Sequence, residues 1–332
     1  MIEWIEFKNF KALRDAKLPL SRFTLIVGAN GSGKSTALYG LLAFGRPGQW
    51  QVQHIRTAGV PETESVTLVA KWGEEKNDYL IRLHYTTGPI HLQYEPLIQN
   101  QVRQGNRPKI AVERARLFSL EANAVAQPVL LQPQMELTPH GANLAGVLDR
   151  LRDQHPERFE ALNEQLGRWI PEFDKILFET PDQGHRSLAL RTREGRHTIK
   201  ARDLSQGTLI ALALLTIAYL PDPPAIVCLE EPDHGLHPRL LRDVRDALYR
   251  LAYPEGSQEK REPVQVIATT HNPYFLDLFR DHPEEIVIAE KVGLEAKFSR
   301  LSDRADLEEI LGDAPLSEVW YSGVLGGVPV GA

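Results

Sequence analysis

Apolar positions along this chain change their period several times, and each change predicts a new kind of element. Over residues 1–27, Ile2, Trp4 (or Ile5), Phe7 and Phe10, then Leu18 and Leu20, predict two short strands and a turn. The run Phe23-Thr24-Leu25-Ile26-Val27 reads as a compact buried strand that ends at Gly28. A helix is expected from about Lys34 to Phe44, stopped by Gly45, Pro47 and Gly48. From Ser65 to Tyr94 the period becomes two, which predicts antiparallel strands over 66–69, 79–83 and 90–94 with turns at 73–78 and 87–89. Residues 96–109 are polar, Gln-rich and basic, and read as a loop. Helical spacing returns over 142–170. Leu144, Leu148 and Leu151 share one face, and after His155-Pro156 a second helix carries Phe159, Leu162, Leu166 and Ile170. Neither sustains the heptads of a coiled-coil arm. Short strands are expected over 175–200, and from 205 to 290 helix and apolar strand alternate, the pattern of a parallel sheet covered by helices.

Composition narrows the class. The 332 residues are 42% hydrophobic and 25% charged, as in a soluble globular protein with a full core. The longest apolar run, Leu209 to Leu220, is too short for a membrane span, and Met-Ile-Glu-Trp does not begin a secretory signal. A single cysteine, Cys228, excludes an internal disulfide framework and a CxxC metal site, so a reducing, cytoplasmic setting is expected. With a net charge of −6, DNA contact would have to come from a local patch. Arg103, Arg107, Lys109, Arg114 and Arg116, with Arg150 and Arg152 in the helical stretch, are the candidates.

Four motifs carry chemistry. Gly28-Ala29-Asn30-Gly31-Ser32-Gly33-Lys34-Ser35 matches G-x-x-x-x-G-K-[ST], is followed by Thr36, and sits between a buried strand and a helix start. Its glycines let successive N–H groups of Asn30, Gly31, Ser32 and Gly33 face phosphates, Lys34 supplies charge to the β- and γ-phosphates, and Ser35 offers its hydroxyl to Mg²⁺. The strand over 225–229 ends in Glu230-Glu231-Pro232, where Glu230 suits the metal and Glu231 suits a base for the attacking water. A third apolar strand runs into Thr270-His271-Asn272-Pro273, and His271 there can report a γ-phosphate. Leu204-Ser205-Gln206-Gly207-Thr208 opens the apolar helix. A Ser hydroxyl and a Gly N–H at a helix start make an anion site, while the chain's own phosphate loop holds a phosphate from the other side. Two copies sharing two ATP sites satisfy both.

In this order the motifs resemble an ABC-type ATPase head, and most of all the RecF/SMC-like and OLD-like bacterial AAA-family ATPases. The opening Ile5-Glu6-Phe7-Lys8-Asn9-Phe10-Lys11-Ala12-Leu13, the stretch Asp233-His234-Gly235-Leu236-His237-Pro238 and the late Glu318-Val319-Trp320-Tyr321-Ser322-Gly323 all fit that group, over nearly the whole chain. The resemblance implies an α/β fold, a P-loop NTPase head of ABC type with a mixed sheet, an antiparallel β subdomain and a short helical lobe. It implies one head over 1–332: phosphate-loop core 1–60, β subdomain 61–115, helical lobe 135–175, signature and switch core 200–290, and cap 291–332. ATP and Mg²⁺ are the implied cofactors and an ATP-dependent homodimer the implied assembly. Glu231, His271 and Lys34 would be catalytic, and Ser205, Gln206 and Gly207 would meet the γ-phosphate held by the partner. Asp233 and its neighbours would form the loop crossing the interface. Mg²⁺ would be held by Ser35, Glu230 and a glutamine, for which Gln127, Gln132 and Gln134 compete and Gln132 is preferred. Lys8 or Lys11 would reach nucleotide or DNA.

Departures matter as well. Transporter heads carry glycine where Gln206 stands and aspartate where Glu230 stands. About sixty residues follow His271 without the Asp-x-Asp of the OLD nuclease module, so DNA cleavage by this chain alone is not expected. The implied role is an ATP-driven switch in DNA repair or antiphage defence, with DNA or a nuclease or other effector protein as partner. The alternatives are a transporter's nucleotide-binding subunit and an ATP-sensing regulator of a nuclease or toxin.

Overall fold

A computed structural model describes residues 1–73, 78–97, 107–257, 261–312 and 314–328. Within the expected turn at 73–78, residues 74–77 lie outside this set, as do Gln99, Gln101, Arg103 and Gln104. The chain forms two compact units, one of residues 1–117, 224–229 and 262–332, the other of 118–223 and 230–261. Strands in chain order are β1 (Ile2–Phe10), β2 (Leu13–Pro19), β3 (Phe23–Val27), β4 (Val66–Trp72), β5 (Tyr79–Tyr85), β6 (His91–Pro96), β7 (Ala115–Phe118) and β8 (Val129–Leu130). They continue as β9 (Phe173–Glu179), β10 (His185–Thr192), β11 (Thr198–Lys200), β12 (Ile226–Glu230), β13 (Gln265–Thr270), β14 (Ile286–Val292) and β15 (Glu295–Arg300).

The first unit holds two sheets. One is antiparallel, in the order β2-β1-β4-β5-β6. Its period-two strands bury Val66, Leu68, Ala70 and Trp72 on β4 and Tyr79, Ile81, Leu83 and Tyr85 on β5, all on one face. The opening residues differ from the reading of two short strands. β1 and β2 precede β3 as a long hairpin, because Asn9 and Lys11 take left-handed backbone (φ 58 and 50) and turn the chain there. The other sheet runs β15-β14-β3-β13-β12-β7. β3 is parallel to β13 and β14, while β14 and β15 are antiparallel, which makes the sheet mixed. Gln265 at the start of β13 donates to the carbonyl of Ala225, just before β12, so β12 and β13 begin at one edge and run alongside.

Helix Lys34–Gly45 packs against strands of both sheets, and its Leu38, Leu41 and Phe44 join Phe7, Phe10, Leu68, Ile226 and Ile267 in one buried cluster. Burying each such side chain contributes roughly 1.5–3 kcal/mol. Cys228 lies inside this core, where burial pushes its thiol up to about 12 and leaves it inert. Helix Arg107–Glu113 overlaps the last three residues of the stretch read as a loop and is held by Ala111 and Val112 against the phosphate-loop helix.

The second unit packs helix Leu144–Gln154 against β8 and β10 and helix Pro156–Trp169 against β9; β9 and β11 flank β10, and β8 pairs with its first residues, His185 and Arg186. The Asn163 side-chain oxygen accepts from the Ile176 N–H at 2.8 Å, fixing helix to strand. Buried Asp149 pairs with Arg152 (2.9 Å) and Arg186 (3.1 Å), tying the first helix to β10. Helix Gln206–Tyr219 is buried from Thr208 to its end and apolar on every side, as a central helix must be. Among the described residues no helix is long and apolar enough to cross a membrane.

Candidate nucleotide site

In the first unit, β3 delivers the chain into the loop 28–33. A Cβ on Gly28 would lie 2.1 Å from the Ala289 carbonyl oxygen on β14, so only glycine lets the loop leave the sheet along this path. The Ser32 N–H donates to the Ala29 carbonyl at 3.2 Å, closing the turn, and Gly33 (φ 99) swings the chain into helix Lys34–Gly45. That helix has no side-chain cap and no acid in its first turn, which leaves its N-terminal end suited to an anion. Lys34 is 6% exposed, and its ammonium donates to the carbonyls of Gly28 (2.7 Å) and Ala29 (3.0 Å) inside the loop. The Ser32 hydroxyl is buried and has no hydrogen-bond partner among the described residues. An enclosed cation and an orphaned hydroxyl in one loop fit a phosphate group. Asn30 and Gly31 are exposed at the tip, and Ser35 and Thr36 are half-buried on the first helical turn.

The parallel register pairs Thr270 with Val27, so His271 and Gly28 each follow the last residue of neighbouring strands. His271 is exposed. Its backbone is fixed on the far side, where the Thr270 hydroxyl accepts from the Asn272 N–H (2.9 Å) and the Asn272 side chain accepts from the Tyr274 N–H (3.0 Å) to cap helix Pro273–Asp277. The sheet thereby brings phosphate loop and histidine to one edge, as expected for ligands at the carboxyl ends of strands.

β12, which begins alongside β13, ends at half-buried Glu230. The next residue, Glu231, adopts left-handed backbone (φ 45). Its carbonyl accepts from the His234 N–H at 2.9 Å, which curls 231–234 into a turn. Asp233, expected to reach outward, is only 6% exposed; the exposed members of the loop are His234, Gly235 and His237.

In the second unit, Ser205 caps helix Gln206–Tyr219. Its hydroxyl accepts from the Thr208 N–H at 3.1 Å and lies 2.8 Å from the Thr208 hydroxyl. Ser205 and Gln206 are exposed. A Cβ on Gly207 would lie 2.9 Å from the Gly235 carbonyl oxygen, so the signature and the 233–237 loop meet only because glycine stands there. An open cleft of about 720 Å³ borders this helix start, lined among others by Arg168, Trp169, Ser205, Gly207, His237 and Arg239.

Gln132 is exposed in the loop after β8, Gln134 is exposed nearby, and the Gln127 amide donates to the Asn123 carbonyl. Lys109 lies 4.0 Å from Glu113, Arg116 donates to the carbonyls of Glu113 and Ala115, Arg150 to Gln154, and Arg152 pairs with Asp149 and Asp153. Arg103 and the Arg107 side chain lie outside the described residues. Lys8 is exposed, whereas the Lys11 ammonium sits 4.9 Å from the Tyr39 ring and 5.4 Å from the Trp50 ring. Among the described residues no cluster of three or more His, Cys, Asp or Glu could hold a metal. The donor set available is a hydroxyl and single carboxylates, the kind that binds Mg²⁺ together with substrate phosphates.

The family described as "AAA domain, putative AbiEii toxin, Type IV TA system" matches residues 69–277, and one described as "AAA ATPase domain" matches residues 1–83. A curated relative named OLD nuclease, from Thermus scotoductus, is 23% identical over 334 residues. The alignment takes in 84% of this chain and 60% of the relative, so the chain spans about three fifths of that protein's length. Among solved structures, the SMC head domain from Thermotoga maritima superposes with a TM-score of 0.53 at 17% identity, over 90% of this chain and 98% of that one. The recombination mediator protein RecF of the RecFOR pathway gives a TM-score of 0.47 at 11% identity, with the same coverage. The likeness to the SMC head shows the fold alone, the mixed α/β arrangement expected from the motifs.

Proposed function

The chain belongs to this family of AAA domains, and on that premise we propose that it binds and hydrolyses ATP with Mg²⁺ and that ATP closes two copies on each other. The observation that carries the second half is the exposed Ser205-Gln206 helix start at an open cleft, an anion-seeking end suited to a phosphate carried by another copy. Lys34 would exchange its two loop carbonyls for the β- and γ-phosphates, while Ser32 and the N–H groups of Asn30, Gly31, Gly33, Ser35 and Thr36 hold the phosphate chain. Ser35, Glu230 and Gln132 are the assigned Mg²⁺ ligands, and the ion, when bound, neutralises charge on the phosphate oxygens. Glu231 takes the proton of the attacking water, and His271 donates to the γ-phosphate. Ser205, Gln206 and Gly207 approach that phosphate from the partner.

The test is Glu231→Gln with ATP, followed by light scattering. The expected result is a stable dimer that appears with ATP and not with ADP. A protein that stays monomeric with ATP would refute the dimer reading.

The likeness to a protein named OLD nuclease supports a second reading, in which the ATP cycle regulates a nuclease or toxin partner, with DNA repair or antiphage defence as the setting. DNA contact is testable as salt-dependent binding in the presence of a non-hydrolysable ATP analogue.

A further inference from the structure

Two glycines distant in the chain pack against the carbonyl oxygen of Ala289 on β14. Gly28, the first residue of the phosphate loop, lies so close that its Cβ would stand 2.1 Å from that oxygen. Gly327, near the C-terminal end of the described chain, lies on the same oxygen. Its Cβ would be 3.3 Å from it and 2.9 Å from Ile288 Cγ2, and its backbone is left-handed (φ 70). Gly28 in turn gives its carbonyl to the Lys34 ammonium at 2.7 Å. A continuous line of contacts thus runs Gly327, Ala289, Gly28, Lys34.

The segment that brings Gly327 there is anchored. Leu325 is buried, the Gly326 N–H donates to the Gly323 carbonyl at 3.0 Å, and Arg304 Nη1 donates to the Val324 carbonyl at 2.8 Å. Arg304 is itself held by Asp306, whose carboxylate accepts its Nε at 2.7 Å. The Trp320 indole backs Gly327 at 3.3 Å from its Cβ position. Close-packed interiors transmit such shifts rather than absorb them.

We propose that the C-terminal segment 323–327 is a buttress of the phosphate loop, and that Gly327 is a positioning residue for nucleotide binding, acting through Ala289 on Gly28. The inference rests on the reading that this loop binds ATP. The loop's N–H groups converge on phosphate oxygens, so a shift of a fraction of an ångström at Gly28 weakens several hydrogen bonds at once.

The experiment is calorimetric ATP titration and steady-state kinetics on the full chain, comparing wild type, Gly327→Ala, Arg304→Ala and Gly293→Ala. Gly327→Ala crowds the Ala289 carbonyl directly, and Arg304→Ala frees the segment without touching that contact. Gly293→Ala sets the same left-handed strain (φ 64) in the β14–β15 turn, where a Cβ meets nothing within 4 Å. Gly327→Ala and Arg304→Ala are expected to lower ATP affinity and raise KM about five- to tenfold, the scale of one hydrogen bond lost from the loop. Their kcat should stay within about twofold of wild type. Gly293→Ala should bind ATP like wild type. If both test variants keep wild-type affinity while their melting temperatures fall, the segment is merely structural and the proposal is overturned, as it is by a kcat loss at unchanged KM. A wild type that binds no ATP would instead sink the nucleotide reading, and this inference with it.

Discussion

Glu231→Gly should make this protein more stable and inactive at once. Glu231 holds φ 45, a region that costs an L-residue roughly 1–2 kcal/mol. Glycine removes that cost but adds about 0.5–1 kcal/mol of chain entropy to be lost on folding, so the net gain is about 0.5–1 kcal/mol. Domains of 150–250 residues shift by roughly 2–4 °C per kcal/mol, which puts the rise in melting temperature at about 1–4 °C. The bond that shapes the turn, from the His234 N–H to the Glu231 carbonyl, survives the substitution. The control is Glu231→Ala, which removes the same carboxylate but keeps a Cβ in the strained position. Differential scanning calorimetry of wild type, Glu231→Ala and Glu231→Gly without nucleotide, with phosphate release measured on each, separates the two effects. Both variants should lose turnover, and Gly should melt above Ala. An alanine variant as stable as the glycine one would refute the strain argument, and a glycine variant that still hydrolyses ATP would refute the base assignment.

Three further outcomes are expected. Lys34→Ala should lose most ATP affinity, read by calorimetry, because no other cation of the loop replaces its charge. Ser205→Arg should bind ATP normally yet lose turnover through a clash with the partner, and a fully active variant would exclude the shared site. Gln265→Leu should destabilise by about 2–4 kcal/mol, read by chemical denaturation, since it strips partners from buried backbone groups. In the native chain the Gln265 side chain accepts from the Ile2 N–H and donates to the carbonyls of Ile2 (2.6 Å) and Ser21 (3.0 Å).

What could be read in advance was whatever lies contiguous in the chain. The phosphate loop announces itself because strand, glycines, lysine and helix start follow one another, and the same holds for the helix that Leu204 to Thr208 opens and for the strand that delivers His271. The strands β4 and β5 were legible from their alternation, although each runs two or three residues further than the pattern suggested. Features that depend on distant partners left no such trace. Helix Arg107–Glu113 looks polar in sequence, and its place is set by contact with the phosphate-loop helix. Gln265 reads as the polar start of a strand, and only the fold shows it binding Ile2. The left-handed backbone of Lys11 and Glu231 has no residue-type signal at all, since neither is glycine or asparagine; Asn9 alone carries one. Gly327 is one of several glycines near the end of the chain until Ala289 is seen beneath it.

The position of Lys34 has a consequence for how the loop responds to ions. Its ammonium is shielded from water and seated on two carbonyl oxygens, so the dipoles of the loop's own backbone hold the cation in place. On the proposed reading, nucleotide binding is a ligand exchange at nitrogen, oxygen for oxygen, rather than the capture of an anion by a hydrated cation. The discrimination among anions then rests on geometry: an oxyanion too small to reach the ammonium and the backbone N–H groups together cannot displace the carbonyls.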